Sequence, residues 1–267
     1  MIKVIVAGAA GRMGGRIMHA VQASKELELA GAFERLDHPA VGRDAGLIAG
    51  LGEIGLPLAG ALAEVIEMGE VIMDFTTPQA SLANLELAAD KGRAMVVGTT
   101  GFSEAQRERL KELGRKMSLV VAPNMSVGVN LLLKTVADVA RILGPGYDLE
   151  IIEAHHRLKK DAPSGTAMLL AQVLAEATGR RMEQCGVYGR EGLVGQRPEG
   201  EIAVLAVRAG DIVGEHTVLF GGIGERLEIT HRAHSRDTFA QGAVRAAVWV
   251  AGRPAGLYDM RDVLGLR

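Results

Sequence analysis

The stretch Ile2-Lys-Val-Ile-Val-Ala7-Gly8-Ala-Ala-Gly11-Arg-Met-Gly14, carried on to Glu34, decides the fold. Residues 2–7 are short, apolar and rich in β-branched side chains, the pattern of a buried strand. Gly8–Gly14 reads as a turn with the spacing G-x-x-G-x-x-G, Arg16–Ala23 has helical spacing, and Leu27–Phe33 is a second apolar run ending at Glu34. Strand, turn, helix and strand in this order form a βαβ unit. Glycines in such a turn let the backbone bend tightly and let a pyrophosphate come close. The N–H groups and dipole of the following helix then favour its negative charge. Glycine spacing alone is weak evidence, because an ordinary tight turn shows it too. Here it falls in the first βα turn, and Glu34 lies 20 residues past Gly14, where a carboxylate accepts hydrogen bonds from ribose hydroxyls. Glu34 alone favours NADH, whereas the adjacent Arg35 offers a partner for a 2′-phosphate. Unless Arg35 is merely solvated, the pair predicts use of both NADH and NADPH.

Outward from this unit the alternation continues. Val71–Phe75 reads as a strand and Thr76-Thr77-Pro78 as a turn opening a helix with proline in its first turn. Met95–Val97 is a strand closed by Gly98-Thr99-Thr100-Gly101. Ser103–Lys116 is a helix, with Ser103 and Gln106 placed for a capping box. Leu119–Ala122 is a strand ending in Pro123-Asn124-Met125. Alternating strands and helices predict a doubly wound parallel sheet. The loops 98–101 and 122–125 fall at carboxyl ends of strands, where open α/β sheets bind ligands.

Beyond about residue 127 the style changes. Val129–Ile142 is a long apolar helix, Leu149–His155 a strand, and Ser164–Thr178 a helix capped by Ser164 and stopped at Gly179. Runs at Ile202–Ala209, Glu215–Phe220 and Arg226–His231, parted by turns, predict an antiparallel meander. Thr238–Ala251 is helical and is expected to return to the first domain. The expected fold class is α/β, a Rossmann-type parallel-sheet domain plus an α+β second domain with a mixed or antiparallel open sheet. The expected domains are 1–126 with 236–267 for the dinucleotide and 127–235 for the substrate.

Bulk properties narrow the function. A net charge of −2 gives no global attraction to nucleic acid or to an anionic membrane. No stretch approaches the ~20 apolar residues of a membrane span, and the first residues lack the long apolar core of a secretory signal. A lone cysteine, Cys185, fits a reducing compartment. A cytoplasmic location is expected.

The densest chemistry lies at Glu153-Ala-His155-His156-Arg157-Leu-Lys159-Lys160-Asp161-Ala-Pro163-Ser164-Gly165-Thr166. Five of the six residues from 155 to 160 are basic or histidine, and they lead into a helix start. This run offers cations to hold an anion, free helix N–H groups and the Thr166 hydroxyl to orient it, and His and Lys to move protons. Neighbouring cations are expected to bring the lysine's proton into a useful range. A solvated charge run is the competing reading. Metal binding by the histidines is disfavoured, because adjacent histidines on a strand point to opposite faces and no third ligand has metal spacing.

Gly-Ala-Ala-Gly-Arg-Met-Gly at 8–14, Gly-Thr-Thr-Gly-Phe at 98–102, Ala-Pro-Asn-Met-Ser-Val-Gly-Val-Asn at 122–130, and Glu-Ala-His-His-Arg-Leu-Lys-Lys-Asp-Ala-Pro-Ser-Gly-Thr-Ala at 153–167 resemble the 4-hydroxy-tetrahydrodipicolinate (dihydrodipicolinate) reductase family. Segments 208–216 and 224–231 match as well, so the resemblance runs nearly end to end. It implies NADPH- or NADH-dependent reduction of 4-hydroxy-tetrahydrodipicolinate to tetrahydrodipicolinate, with loss of water, in the diaminopimelate route to lysine. It also implies a homotetramer formed through the second domain. Carried over, the phosphate loop is Gly8, Ala9, Ala10, Gly11, Arg12 and Met13, and Glu34 and Arg35 read the adenosine ribose. Gly98, Thr99, Thr100, Ala122, Pro123, Asn124 and Met125 contact the nicotinamide half. His155 and Lys159 are the acid–base pair, while His156, Gly165 and Thr166 hold substrate carboxylates. Thr77 stands where some members carry a basic residue, which bears on the fine cofactor contacts.

Two other readings share parts of this pattern. A two-domain reductase of the aspartate or homoserine dehydrogenase type has the glycine loop but should lack the 153–167 motif. A non-catalytic NAD(H) sensor has no use for an acid–base cluster at 155–159.

Overall fold

The computed structural model describes residues 1–267. In chain order the elements are β1 (Ile2–Ala7), α1 (Arg12–Gln22), β2 (Leu27–Phe33), α2 (Ala45–Ala49), α3 (Leu62–Val65), β3 (Val71–Asp74), α4 (Pro78–Asp90), β4 (Ala94–Val97), α5 (Glu104–Gly114), β5 (Ser118–Val121), α6 (Val127–Leu143), β6 (Asp148–His155), α7 (Gly165–Ala177), α8 (Met182–Cys185), β7 (Gly186–Val187), β8 (Ile202–Arg208), β9 (Gly214–Gly221), β10 (Arg226–Ala233), α9 (Asp237–Val250), β11 (Gly256–Tyr258) and α10 (Met260–Leu264). Short 3₁₀ turns lie at Ile66–Met68 and Gly144–Gly146. The chain forms two compact units, Met1–Val127 with Arg236–Arg267, and Gly128–Ser235.

The first unit is built on a six-stranded sheet of order β11-β5-β4-β3-β1-β2, parallel throughout. The central strands β3, β4 and β5 and the second half of β1 are nearly continuous apolar runs because both faces are covered. Alternate residues serve opposite faces. Val4 and Val6 pack with Ile17, Met18 and Val21 of α1 and with Ala243, Ala246 and Val250 of α9. Ile5 and Ala7 pack with Leu85 of α4 and with Leu110 and Leu113 of α5. The C-terminal segment completes this unit, with α9 on the face shared with α1 and β11 pairing along β5 as a sixth strand.

Helix α1 begins at Arg12, four residues before the start expected from apolar periodicity. The cause is Gly14. It sits inside the first turn, where a Cβ would lie 2.2 Å from the Gly8 carbonyl oxygen and 2.6 Å from Ala9 Cα. Periodicity is blind to a residue selected for having no side chain. The expected caps of α5 and α7 are formed: Ser103 and Gln106 make the capping box, and Ser164 accepts from Ala167 N–H; α4 opens with proline in its first turn as expected, and Thr77 caps it by accepting from Ala80 N–H.

The second unit is built on a five-stranded mixed sheet of order β10-β9-β6-β8-β7. This corrects the expected three-strand meander. β9 and β10 pair antiparallel, but β8 pairs parallel with β6, and β6 lies between β8 and β9. The segment 209–213 therefore arches over the end of β6. Turn residues show where a chain reverses, not which strand lies inside the reversal. The covered face of β6 carries Leu149 and Ile151, packed with Val204, Val218 and Phe220 and with Leu132 and Val136 of α6 and Leu170 and Leu174 of α7. Further along the same face, Glu153 and His155 replace the apolar residues.

Helix α9 approaches the loop after β5 so closely that a Cβ on Gly242 would lie 1.8 Å from the Met125 carbonyl oxygen. Gly242→Ala should therefore cost about 3 kcal/mol, the upper end of the usual overpacking range. Urea unfolding measures this, and an unchanged midpoint would contradict the packing described.

Candidate active site

The glycine loop of the first unit has the shape that an anion needs. Gly8 has φ +62°, a left-handed conformation that turns the chain out of β1. Gly11 N–H donates to the Gly8 carbonyl at 2.9 Å, and Ala9 N–H donates to Phe33 at the end of β2. Gly11 is the N-cap of α1, offers no capping side chain, and is followed by no acid in the first turn. The first N–H groups of α1 are thus left for an external acceptor beside the positive end of the helix dipole. Gly11 and Arg12 are exposed, Ala10 and Met13 partly so, while the Ala9 side chain belongs to the core. At the end of β2, Glu34 accepts from the Arg35 backbone N–H at 3.1 Å. Arg35 pairs with Asp37 at 3.3 Å, and both side chains are largely exposed. These features fit a dinucleotide, with a cradle that side chains would fill and a carboxylate at the ribose end.

Asp74, at the end of β3, is fully buried with no cation beside it. Its Oδ1 accepts from Thr76 N–H (2.9 Å), Thr76 Oγ1 (2.7 Å) and Ser81 Oγ (2.9 Å), and its Oδ2 accepts from Asn84 Nδ2 (2.8 Å). Ser81 Oγ lies 2.7 Å from Thr99 Oγ1. This network ties the loop after β3 to Thr99 in the loop after β4, and the Thr76 methyl rests against Gly8. Thr77, the position of doubtful cofactor contact, uses its hydroxyl on α4 instead. Thr99 is buried and Thr100 exposed. In the loop after β5, Ala122 and Met125 place their side chains in the core, Pro123 is exposed, and the Asn124 side chain accepts from Ser126 N–H at 2.9 Å. Thr99, Thr100 and Pro123 border a cavity of about 500 Å³ whose apolar lining includes Phe102, Leu110 and Val121.

In the second unit the arch over β6 holds the basic run in place. Ala209 N–H donates to the His155 carbonyl, His156 N–H to Ile212, Arg157 N–H to Gly210, and Lys159 N–H back to His156. His155 is buried, His156 and Lys159 are half-buried, and Arg157 and Lys160 are exposed. Lys159 Nζ pairs with Asp161 at 2.9 Å. An acid from the same run thus meets its ammonium. The chain then enters α7 through Ser164. Gly165 is exposed, and a Cβ there would meet nothing within 4 Å. The protein's own packing gives no reason for a glycine at this tip, whereas a close-lying ligand would.

The residues missed in the sequence lie beneath this surface. Glu153 is fully buried. It accepts from both terminal nitrogens of Arg208 (2.7 and 2.8 Å), from His155 Nδ1 (2.6 Å) and from Ser164 N–H (3.0 Å). Arg208 also donates to the Asp161 carbonyl, tying down the loop before α7. Ser164 Oγ lies 3.1 Å from His216 Nε2, and the rings of His216 and His155 meet edge to face with centroids 5.3 Å apart. The available signal was period-two spacing: Glu153 and His155 share a strand face, and Arg208 closes the strand beside it.

Burial tends to raise the Glu153 carboxyl, but the hydrogen bonds from Arg208, His155 and Ser164 outweigh it and hold the group below the usual carboxylate range. Burial, aided by the charges of Lys159 and Arg208, holds His155 below the usual imidazole value against the opposing pull of Glu153. Burial pushes His216 down to about 4. The unfolded chain therefore binds a proton at position 216 that the folded chain refuses. Stability from this residue, on the order of 3 kcal/mol, is present above pH 6.5 and is lost as pH falls toward 4. Urea unfolding across this window should show that fall, and His216→Gln should flatten it. Equal slopes in the two proteins would refute the assignment.

Sequence profiles described as "Dihydrodipicolinate reductase, N-terminus" and "Dihydrodipicolinate reductase, C-terminus" match residues 2–125 and 128–264. The chain is 54% identical over 267 residues to the 4-hydroxy-tetrahydrodipicolinate reductases of Citrifermentans bemidjiense and of a Geobacter species, covering 100% of each chain. Among solved structures, a dipicolinate-bound dihydrodipicolinate reductase from Paenisporosarcina sp. TG-14 superposes with TM-score 0.77 at 26% identity, covering 97% of both chains. A nicotinamide-dinucleotide-binding fold joined to this motif-bearing second unit, over the full length of these relatives, places the chain in the dihydrodipicolinate reductase family, oxidoreductases of lysine biosynthesis.

Proposed function

We propose that this protein reduces 4-hydroxy-tetrahydrodipicolinate to tetrahydrodipicolinate, with loss of water, using either NADH or NADPH. The observation that carries this reading is the join at Glu153: one buried carboxylate anchors an imidazole and the N-terminus of a helix whose tip is an otherwise unexplained glycine. Residues 1–126 and 236–267 hold the dinucleotide, and residues 127–235 hold the substrate and form the homotetramer. The location is cytoplasmic. No helix is long and apolar enough to cross a membrane.

The loop Gly8–Met13 binds the pyrophosphate through backbone N–H groups, and Glu34 accepts from the ribose. Residues 98–100 and 122–125 orient the nicotinamide end, largely through backbone, since the side chains of Thr99, Ala122 and Met125 are buried. When bound, the nicotinamide supplies the hydride. The substrate's carboxylates are held by His156 and by the tip of α7 at Gly165 and Thr166, so binding energy supplies orientation. As hydride adds to the conjugated ring, electron density builds at the ring nitrogen. The ring's conjugation arises when its hydroxyl departs with one ring proton as water, and the single proton that balances the hydride is supplied by Lys159 or His155, whose positive charge also stabilises the nitrogen.

Arg35 is the phosphate-reading group. Its pair with Asp37 is exposed, so it contributes little and exchanges readily for a phosphate. Loss of nicotinamide absorbance with freshly generated substrate tests the reaction; no turnover with either cofactor would leave a nucleotide-binding sensor as the better reading. Lys159→Ala should lower kcat by roughly 10²–10⁴, and an unchanged kcat would remove Lys159 from proton transfer. Arg35→Ala should raise the KM for NADPH roughly ten-fold or more, the worth of a charge-assisted hydrogen bond, with the KM for NADH little changed. Equal effects on both cofactors would refute the role of Arg35.

A further inference from the structure

Glu153 and His155 stand two residues apart on one face of β6, and Glu153 reaches no solvent. An ionised carboxylate has no hydrogen to give, so the 2.6 Å contact requires His155 Nδ1 to carry the proton. In the neutral ring the lone pair is then on Nε2. That nitrogen faces the start of β9 at Gly214, where a Cβ would lie 3.0 Å away. A glycine there leaves Nε2 open. The second carboxylate oxygen of Glu153 accepts the Ser164 N–H at the head of α7. Arg208 spans both oxygens and so holds the carboxylate plane against rotation.

We propose that Glu153 is a positioning residue that acts twice through one carboxylate: it holds His155 in the tautomer with Nε2 open toward substrate, and it sets the helix tip that receives the substrate's carboxylate. The inference rests on the reading of His155 as an acid–base group. Proton transfer and diacid binding are thereby coupled, since neither His155 nor the head of α7 can shift without breaking a bond to the same anion. Arg208 serves the pair by keeping that anion charged and oriented. The groups facing His155 are Glu153 on its own strand, Arg208 on β8, His216 on β9, and Lys159 with its partner Asp161 in the following loop. Of these, Glu153 favours the imidazolium, and Lys159 and Arg208 oppose it. Removing the Glu153 charge should therefore move the ionisation of His155 to lower pH.

The test begins with the unmodified protein. Nitrogen-15 NMR of labelled histidines should show His155 protonated on Nδ1 in its neutral form; a neutral Nε2–H tautomer overturns the proposal without any substitution. Glu153→Gln should lower kcat roughly 10- to 100-fold, move the acidic limb of the kcat profile to lower pH, and raise the substrate KM several-fold with the cofactor KM unchanged. Glu153→Asp, which keeps the charge, should recover part of the pH profile. An unshifted profile and an unchanged substrate KM in folded Glu153→Gln overturn the proposal. Gly214→Ala leaves Glu153 intact but crowds Nε2, so it should lower kcat with little change in substrate KM; full kcat there also overturns it. His155→Asn separates the two levels: full kcat in that variant refutes the acid–base reading itself, whereas impaired His155→Asn beside unaffected Glu153→Gln refutes only the role of Glu153.

Discussion

A carboxylate removed from water must have its charge met by protein donors, and in the second unit this requirement organises everything around it. Glu153 lies on the central strand of its sheet and draws a guanidinium from one neighbouring strand, an imidazole from its own strand, and a backbone N–H from the start of α7. Each donor belongs to a different piece of the proposed chemistry. An unpaired buried charge would cost several kcal/mol, so these pieces are not free to drift apart. The same contacts that keep Glu153 ionised keep the histidine and the helix tip in register.

The first unit solves a parallel problem with different chemistry. Asp74, also at the end of a central strand and fully buried, is met by hydroxyls, an amide and a backbone N–H rather than by a cation. Those donors come from the loop after β3, from α4 and from the loop after β4. Their convergence ties together segments that border the glycine loop, because the Thr76 methyl packs on Gly8. In both units a buried anion at a strand end turns separate loops into one scaffold. The donors differ in kind: neutral hydroxyl, amide and backbone groups meet Asp74, whereas Glu153 is met by a guanidinium, an imidazole and a backbone N–H.

Much of this was legible in the residues. The βαβ opening, the helix caps at Ser103 and Ser164, and the family membership follow from local patterns, because turns, caps and apolar periodicity depend on residues close in sequence. The motif at 153–167 marked the region to which the proposed acid–base and carboxylate-holding roles belong. What escaped reading was whatever depended on strands meeting across long separations. The three C-terminal strands read as a meander, yet β6 lies between β8 and β9. With β6 given no place among these strands, Arg208 had no visible partner and Glu153 no visible task. Lys159 was singled out through the family resemblance, but its pairing with Asp161, which sets it apart from the exposed Arg157 and Lys160, was not visible in the residues.

The amino-acid sequence by itself determined the alternation of the main strands and helices, the glycine turn, the starts of α5 and α7 and the chemical types available near residue 155, since each is set by backbone conformational preference and short-range hydrogen bonding. Tertiary structure alone decided which donors surround Glu153 and Asp74, which nitrogen of His155 is left open, and why Gly242 tolerates no side chain. Those outcomes depend on burial and on contacts between distant segments, and no local rule encodes the dielectric surroundings or the neighbours a residue acquires when the chain closes on itself.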